Sequence, residues 1–163
     1  MFAAMSDLSI FLKAVADDLP TIEHGGAKFK VRVAAPDDRQ KAISYMKQDQ
    51  ATAVEASEDD NDPLTPDQVQ SWVKHTTEGN DSAIRLFDLD SIKTQRDLRM
   101  ALFRISYLSA YILAMSLLTD DGNPIERKLF FAVAKTISTT PKFKRKIEDA
   151  LKSLEAVEDS PNV

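Results

Sequence analysis

Apolar side chains recur along most of this chain at three- and four-residue spacing, the period that lines one face of an α-helix. From Ser6 to Leu19 the positions Leu8, Phe11, Leu12, Val15 and Leu19 keep that period. Ser6 can cap it and Pro20 ends it, which predicts a short amphipathic helix. Period-two alternation interrupts the pattern once. Phe29, Val31 and Val33 alternate with Lys28, Lys30 and Arg32, so Lys28 to Val33 reads as a half-buried strand. His24-Gly25-Gly26 can turn it back onto Thr21-Ile22-Glu23 as a small β-hairpin, which needs helices to pack on because a lone hairpin is marginal in water. Pro36, followed by Asp37 and Asp38 in the first turn, opens a second helix that carries Ala42, Ile43 and Met46 and fades after Ala53.

The helical period then lapses. Glu55, Glu58, Asp59, Asp60 and Asp62 stand in a stretch with almost nothing apolar, which predicts a solvated, mobile acidic loop. Thr65-Pro66-Asp67-Gln68 has the form of a capping box and starts a third helix carrying Val69, Trp72 and Val73, ending near Gly79-Asn80. Asp90 or Ser91 can cap the dominant element, a long helix without proline or glycine before Gly122. Leu98, Leu102, Ile105 and Ile112 form one seam on it; Met100, Phe103, Tyr107, Ala110, Ala114 and Leu117 form another. Its uncharged run from Ile105 to Thr119 is shorter than the ~20 residues a membrane span needs and contains three serines, so it reads as the buried central helix of a bundle. Gly122 closes it, Pro124 starts the next helix, which runs to Ser138 with Ile125, Leu129, Phe130, Val133 and Ile137, and Thr140-Pro141 starts the last, with Phe143, Ile147, Leu151 and Leu154 in one stripe. Short connections make these last three helices antiparallel neighbours. The expected organisation is therefore mainly α, a helical bundle with a small N-terminal β-hairpin. Residues 1–54 hold the first helix, hairpin and second helix; 55–64 form the acidic loop; 65–157 form the bundle, with a central helix over about 91–118; 158–163 are a polar tail, all in one domain.

Composition narrows the chemistry. There are four glycines, two histidines and no cysteine, so neither phosphate-loop glycine motif can be assembled, and zinc fingers, thiol catalysis and a disulfide framework are excluded. The acidic clusters lack the glycine and glutamate spacing of a calcium loop. None of the 26 acidic residues sits in an apolar run that would tune it for acid–base work, and His24 and His75 both fall in polar surroundings. The expectation is a protein that is not an enzyme, with no catalytic, cofactor-binding or metal-binding residues. A net charge of −5 argues against nucleic acid and anionic membrane as partners. The N-terminus shows no secretory pattern, because Asp7 and Lys13 interrupt its apolar stretch. The cluster Lys142, Lys144, Arg145, Lys146 opposes the dipole at the start of the last helix and reads as a solvated face or a rim for an acidic partner.

Positive signals point to protein contact. Phe130 and Phe131 are adjacent and project about 100° apart, so they cannot share one stripe centre, while Tyr107, Tyr111 and Met115 form a line along the central helix. Either the bundle buries all five, or Tyr107, Tyr111, Met115, Phe130 and Phe131 contribute to an apolar patch for a partner or for self-association into a homo-oligomer. On the second reading, charged substitutions at Phe131 and Tyr111 abolish partner binding and leave the fold intact.

Two stretches carry a family likeness. Gly25-Gly26-Ala27-Lys28-Phe29-Lys30-Val31-Arg32-Val33 with Pro36-Asp37-Asp38-Arg39 resembles the N-terminal strand-to-helix passage of tail assembly chaperones from long-tailed (siphovirus-like) bacteriophages. Tyr111-Ile112-Leu113-Ala114-Met115-Ser116-Leu117-Leu118, then Asp120-Asp121-Gly122-Asn123-Pro124 and two further helices, resembles their C-terminal half. The likeness covers about Gly25 to Ala42 and Leu98 to Leu154; Met46 to Lys93 carries none. It implies a small helical protein of the host cytoplasm that binds and solubilises the tape-measure protein, helps recruit tail-tube subunits around it, and is absent from the mature virion. It carries over no active-site residues. It also implies a check in the gene, since many members are made in two lengths by ribosomal slippage and Ser160-Pro161-Asn162 can be encoded by a slippery heptamer. The alternatives are a structural protein of the phage tail or head–tail junction, or a small helical regulator of a host protein.

Overall fold

The pattern that predicts helices is realised for most of its length. A computed structural model describes residues 17–85 and 87–158, and most of the expected helix over Ser6 to Leu19 lies outside them; within the described residues, Asp17 is helical and Asp18 already turns. The protein is mainly α, with six α-helices and a three-stranded antiparallel sheet among the described residues. The strands are β1 (Thr21–His24), β2 (Ala27–Val31) and β3 (Leu117–Thr119). The helices are α1 (Pro36–Ala53), α2 (Pro66–Thr76), α3 (Asp81–Ile84), α4 (Gln95–Ala114), α5 (Phe130–Thr139) and α6 (Pro141–Glu158). Contacts sort the chain into two units whose boundaries fall inside α1 and α4, not at the acidic loop.

The first unit takes the described residues up to Ile43 and those from Ala110 onward. Its hairpin pairs Thr21 with Lys30 and His24 with Ala27, leaving Gly25 and Gly26 as a two-residue turn. Their φ angles of 58° and 82° are the left-handed values that such a turn needs at both positions, which is why glycine occupies both. β3 adds to the other side of β2, with Val31 opposite Leu117 and Phe29 opposite Thr119. This corrects the reading of one long helix over about 91–118. The helix ends at Ala114, and the last part of its uncharged run leaves as a strand whose Leu117 and Leu118 are buried. A short apolar run fits a buried strand as well as a buried helix, so periodicity could not separate them.

The start of the following helix shifts for the same reason. Thr119 N–H donates to the Asn123 carbonyl at 2.7 Å and Leu118 bridges to Pro124, so Asp120 to Asn123 turn the chain back beside β3. Pro124 therefore does not open a helix; a 3₁₀ turn over Arg127–Leu129 leads into α5 at Phe130. α5 buries Phe130, Ala134 and Ile137, and α6 buries Phe143, Ile147 and Ala150. Lys146, from the basic cluster, donates from Nζ to the Glu23 carbonyl at 2.7 Å and ties α6 to β1.

α1 has the bounds its sequence predicts, and its first turn shows why. Asp38 Oδ2 accepts the Ala35 N–H at 2.8 Å, reaching back one turn as the third residue of a capping box does, and takes Arg32 Nη1 at 3.0 Å. Burial works to raise the Asp38 carboxyl, but the Ala35 bond, the Arg32 guanidinium and Lys41 outweigh it and hold it below its ordinary value of 3.8.

The second unit spans Ser44 to Ser109. α2 begins with the predicted capping box: Gln68 N–H donates to Thr65 Oγ1 and Thr65 N–H donates to Gln68 Oε1. Val69 and Val73 face a core completed by Phe87, Ile92 and Leu98, whereas Trp72, on the flank of that stripe, is 53% exposed. α4 is capped at Thr94, three or four residues after the expected Asp90 or Ser91. Asp97 N–H donates to Thr94 Oγ1, and Asp97 Oδ2 accepts the N–H groups of Lys93 and Thr94; Asp88 and Ser91 instead close a 3₁₀ turn over Leu89–Ser91.

Candidate partner-binding grooves

The five residues expected to form a partner surface separate. In the first unit Tyr111 is 0% exposed, and Phe130 and Met115 are buried; the rings of Tyr111 and Phe130 sit 5.7 Å apart. Burial accounts for the apolar character of these three without a partner, and a charge at Tyr111 would disrupt the fold before it could report on binding. Phe131 and Tyr107 are half-buried, and Tyr107 meets Phe103 edge-on at 4.8 Å in the second unit. The expected patch is thus not continuous. Of the two readings left open by the sequence, burial holds for Tyr111, Met115 and Phe130.

Two grooves that were not foreseen take its place. The larger, about 540 Å³, belongs to the second unit. Met46 of α1, Phe87 and Ile92 form its buried floor, and half-buried Met100 and Ile105 of α4 form a wall. Lys47, Asp88 and Arg104 are exposed along its edge, joined by Arg96 and Asp97. The floor is held firm by Gln50, a buried amide whose Nε2 donates to the Met100 carbonyl at 2.7 Å and so fastens α1 to α4 inside this unit. Sequence reasoning placed Met46 and Met100 on two separate apolar faces. Only the pairing of the helices brings two thioethers into one groove.

The acidic loop, expected to be solvated and mobile, is fastened beside that groove. Asp60 is 7% exposed; it ion-pairs with Arg96 Nη1 at 3.2 Å and with Arg99, and also accepts the Ser57 N–H at 2.8 Å. Arg96 N–H donates to the Asp60 carbonyl and Gln95 N–H to the Asp62 carbonyl, so the loop supplies acceptors to the otherwise orphaned first turn of α4. Pro63 bridges Thr94 and Leu64 N–H donates to the Lys93 carbonyl, extending the strap. Glu55, Glu58, Asp59 and Asp62 remain exposed, as the loop's composition predicts. A count of charges could not single out Asp60, because its partners lie far along the chain.

The smaller groove, about 210 Å³, belongs to the first unit. It is lined by His24 and Phe29 of the hairpin, Leu129, Ala132 and Val133 at the start of α5, and Phe143 of α6. His24, expected to be a surface turn residue, stacks on Phe143 with ring centroids 4.6 Å apart. Leu129 is 49% exposed at the lip.

No group of three or more His, Asp or Glu among the described residues could hold a metal ion. No helix of the described residues is long and apolar enough to cross a membrane. The larger groove has an apolar floor with charged edges, and the smaller has an almost wholly apolar lining. Compared with protein-family models, curated proteins and solved structures, the chain matches none of them.

Proposed function

We propose that this protein is a tail assembly chaperone of a long-tailed bacteriophage, acting in the host cytoplasm by holding helical segments of the tape-measure protein until tail-tube subunits enclose them. The observation that carries the reading is the groove of the second unit. Its floor and wall are Met46, Met100, Phe87, Ile92 and Ile105, and charged side chains stand along its edge. Methionine is flexible and polarisable, so a groove with two of them adapts to different apolar side chains, which suits a holder of a long client better than a selector of one ligand. An amphipathic helix can lower anchors at i, i+3 and i+4 into such a groove while its polar face meets Lys47, Asp88 and Arg104. The resemblance of the two flanking stretches to such chaperones supports the same reading, although the groove falls mainly outside them. The net charge of −5 favours solubility of the pair. Chemistry on a substrate has no part in this function.

The test is whether a very long helical reading frame follows this gene and its product, when co-expressed, depends on this chain; absence of such a frame counts against the reading. The wild-type chain should keep that product soluble and co-purify with it. Met100→Glu and Ile105→Glu, at half-buried wall positions, should keep native helicity by circular dichroism yet weaken binding by about 2 kcal/mol each, roughly 30-fold. A client that is equally soluble without this chain would overturn the chaperone reading. Finding the chain as a stoichiometric component of purified particles would replace it with a structural role in the tail.

A further inference from the structure

The larger groove lies between two helix segments that run in opposite directions, and that geometry sorts its charges. Gln50 of α1 donates to the Met100 carbonyl of α4, while Arg96, one turn before Met100, donates to the Val54 carbonyl, one turn after Gln50. Lys47, one turn before Gln50, therefore stands at the level of Arg104, one turn after Met100. Both are exposed on the edge of the groove, one on each wall. Neither side chain hydrogen-bonds or ion-pairs with a described residue. The other charges of the lining are engaged or apart: Arg96 holds Asp60, the Asp97 carboxylate accepts the Lys93 and Thr94 N–H groups, and exposed Asp88 pairs with neither cation. We propose that the segment this groove takes up is an amphipathic helix with carboxylates on both flanks of its apolar stripe, within one turn, so that they meet Lys47 and Arg104.

This rests on the reading of the groove as a holder of client helices, and it adds the chemistry by which a segment is chosen. Two cations level with each other on facing walls repel any basic segment and leave an acidic one to complete the charge pattern. Two cations alone would suit any anion. The apolar floor of Met46, Phe87 and Ile92 between the walls favours a carboxylate carried beside apolar anchors. The preference runs against the net charge of −5, which by itself attracts cations. At physiological salt the screening length is about 8 Å, so contacts on the groove's own edge outweigh the distant charges of the chain. The exposed acids of the strap belong to the opposite end of the groove, where Asp60 meets Arg96, and that end stays free to meet basic stretches of the same client.

Two synthetic peptides of about 20 residues test it, sharing an alanine-rich helix with Leu and Met anchors at i, i+3, i+4 and i+7. One carries Glu on both flanks of the anchor stripe and the other carries Lys. Each is titrated against the full chain by fluorescence anisotropy at about 150 mM salt. The Glu peptide should bind at least roughly tenfold tighter. In Lys47→Gln/Arg104→Gln, with native helicity checked by circular dichroism, that preference should fall below about threefold, and Lys47→Glu/Arg104→Glu should reverse it. Equal affinities, a tighter Lys peptide, or a preference unchanged in the glutamine variant overturn the proposal, as does binding of neither peptide. The chaperone reading fails on a different result, a client that stays soluble without this chain, so the two failures are told apart.

Discussion

Single carboxylates carry much of the local order. Asp60 holds the acidic strap on α4 through Arg96, Arg99 and the Ser57 N–H, while both arginine side chains stay more than a third exposed. Solvent therefore compensates the cations when the carboxylate is removed, and Asp60→Ala should cost about 1–2 kcal/mol in urea unfolding, less than a fully buried pair would. Asp38 makes a pH prediction. Its carboxyl is depressed in the folded chain, so the unfolded chain binds a proton more readily as pH falls. Its contribution is complete above the ordinary value of 3.8 and is lost as pH drops through the lower folded value. The stability gap between wild type and Asp38→Asn should accordingly be constant above about pH 5 and close in more acid solution, as read by urea midpoints at successive pH. Asp38 was legible as a first-turn helix acid because that role is local. Asp60 was not, because nothing near it in the chain distinguishes it from Asp59 or Asp62.

Elements whose signals are local came out as their sequence predicts. α1 between Pro36 and Ala53, the Thr65–Gln68 capping box, the glycine turn of the hairpin and the Thr140-Pro141 start of α6 each rest on residues within one turn of each other. The start of α4 was legible too, since Thr94-Gln95-Arg96-Asp97 has the spacing of a capping box with aspartate in the reaching position, but the cap residues Asp90 and Ser91 drew the expectation upstream. β3 could not be read this way. Its strand character exists only because β2 presents an open edge, and Leu117 then becomes a fully buried side chain in a three-residue strand. Leu117→Ala should destabilise the protein by about 2–4 kcal/mol in chemical denaturation, a cost a solvated helix end would not show.

At the scale of the whole chain, charge and composition bear on the proposed client. The protein is net acidic at −5, and the acids of the strap other than Asp60 are exposed. If basic segments of the tape-measure protein are drawn to this surface, raising salt from about 50 to 500 mM should slow association several-fold and leave dissociation nearly unchanged, because screening acts on the approach and the apolar groove sets the residence time. Stopped-flow binding with a labelled client segment measures both rates. Of the residues expected at a partner surface, Tyr111, Met115 and Phe130 belong to a core, whereas Met46, Met100 and Ile105 line the larger groove. A helical pattern tells which residues are apolar, and not which of several apolar faces will find a neighbour.

By itself, the amino-acid sequence determined the mainly α class, the hairpin, the starts of α1, α2 and α6 and the lack of glycine-loop or thiol chemistry. These follow from periodicity, caps and composition, all of which act within a few residues or need no geometry. Tertiary structure alone decided that the uncharged run splits into helix and strand, that Asp60 is the buried acid, and which aromatic residues are core. Each of those outcomes depends on a partner distant along the chain, and pairing at a distance is settled by what the folded molecule can bury together.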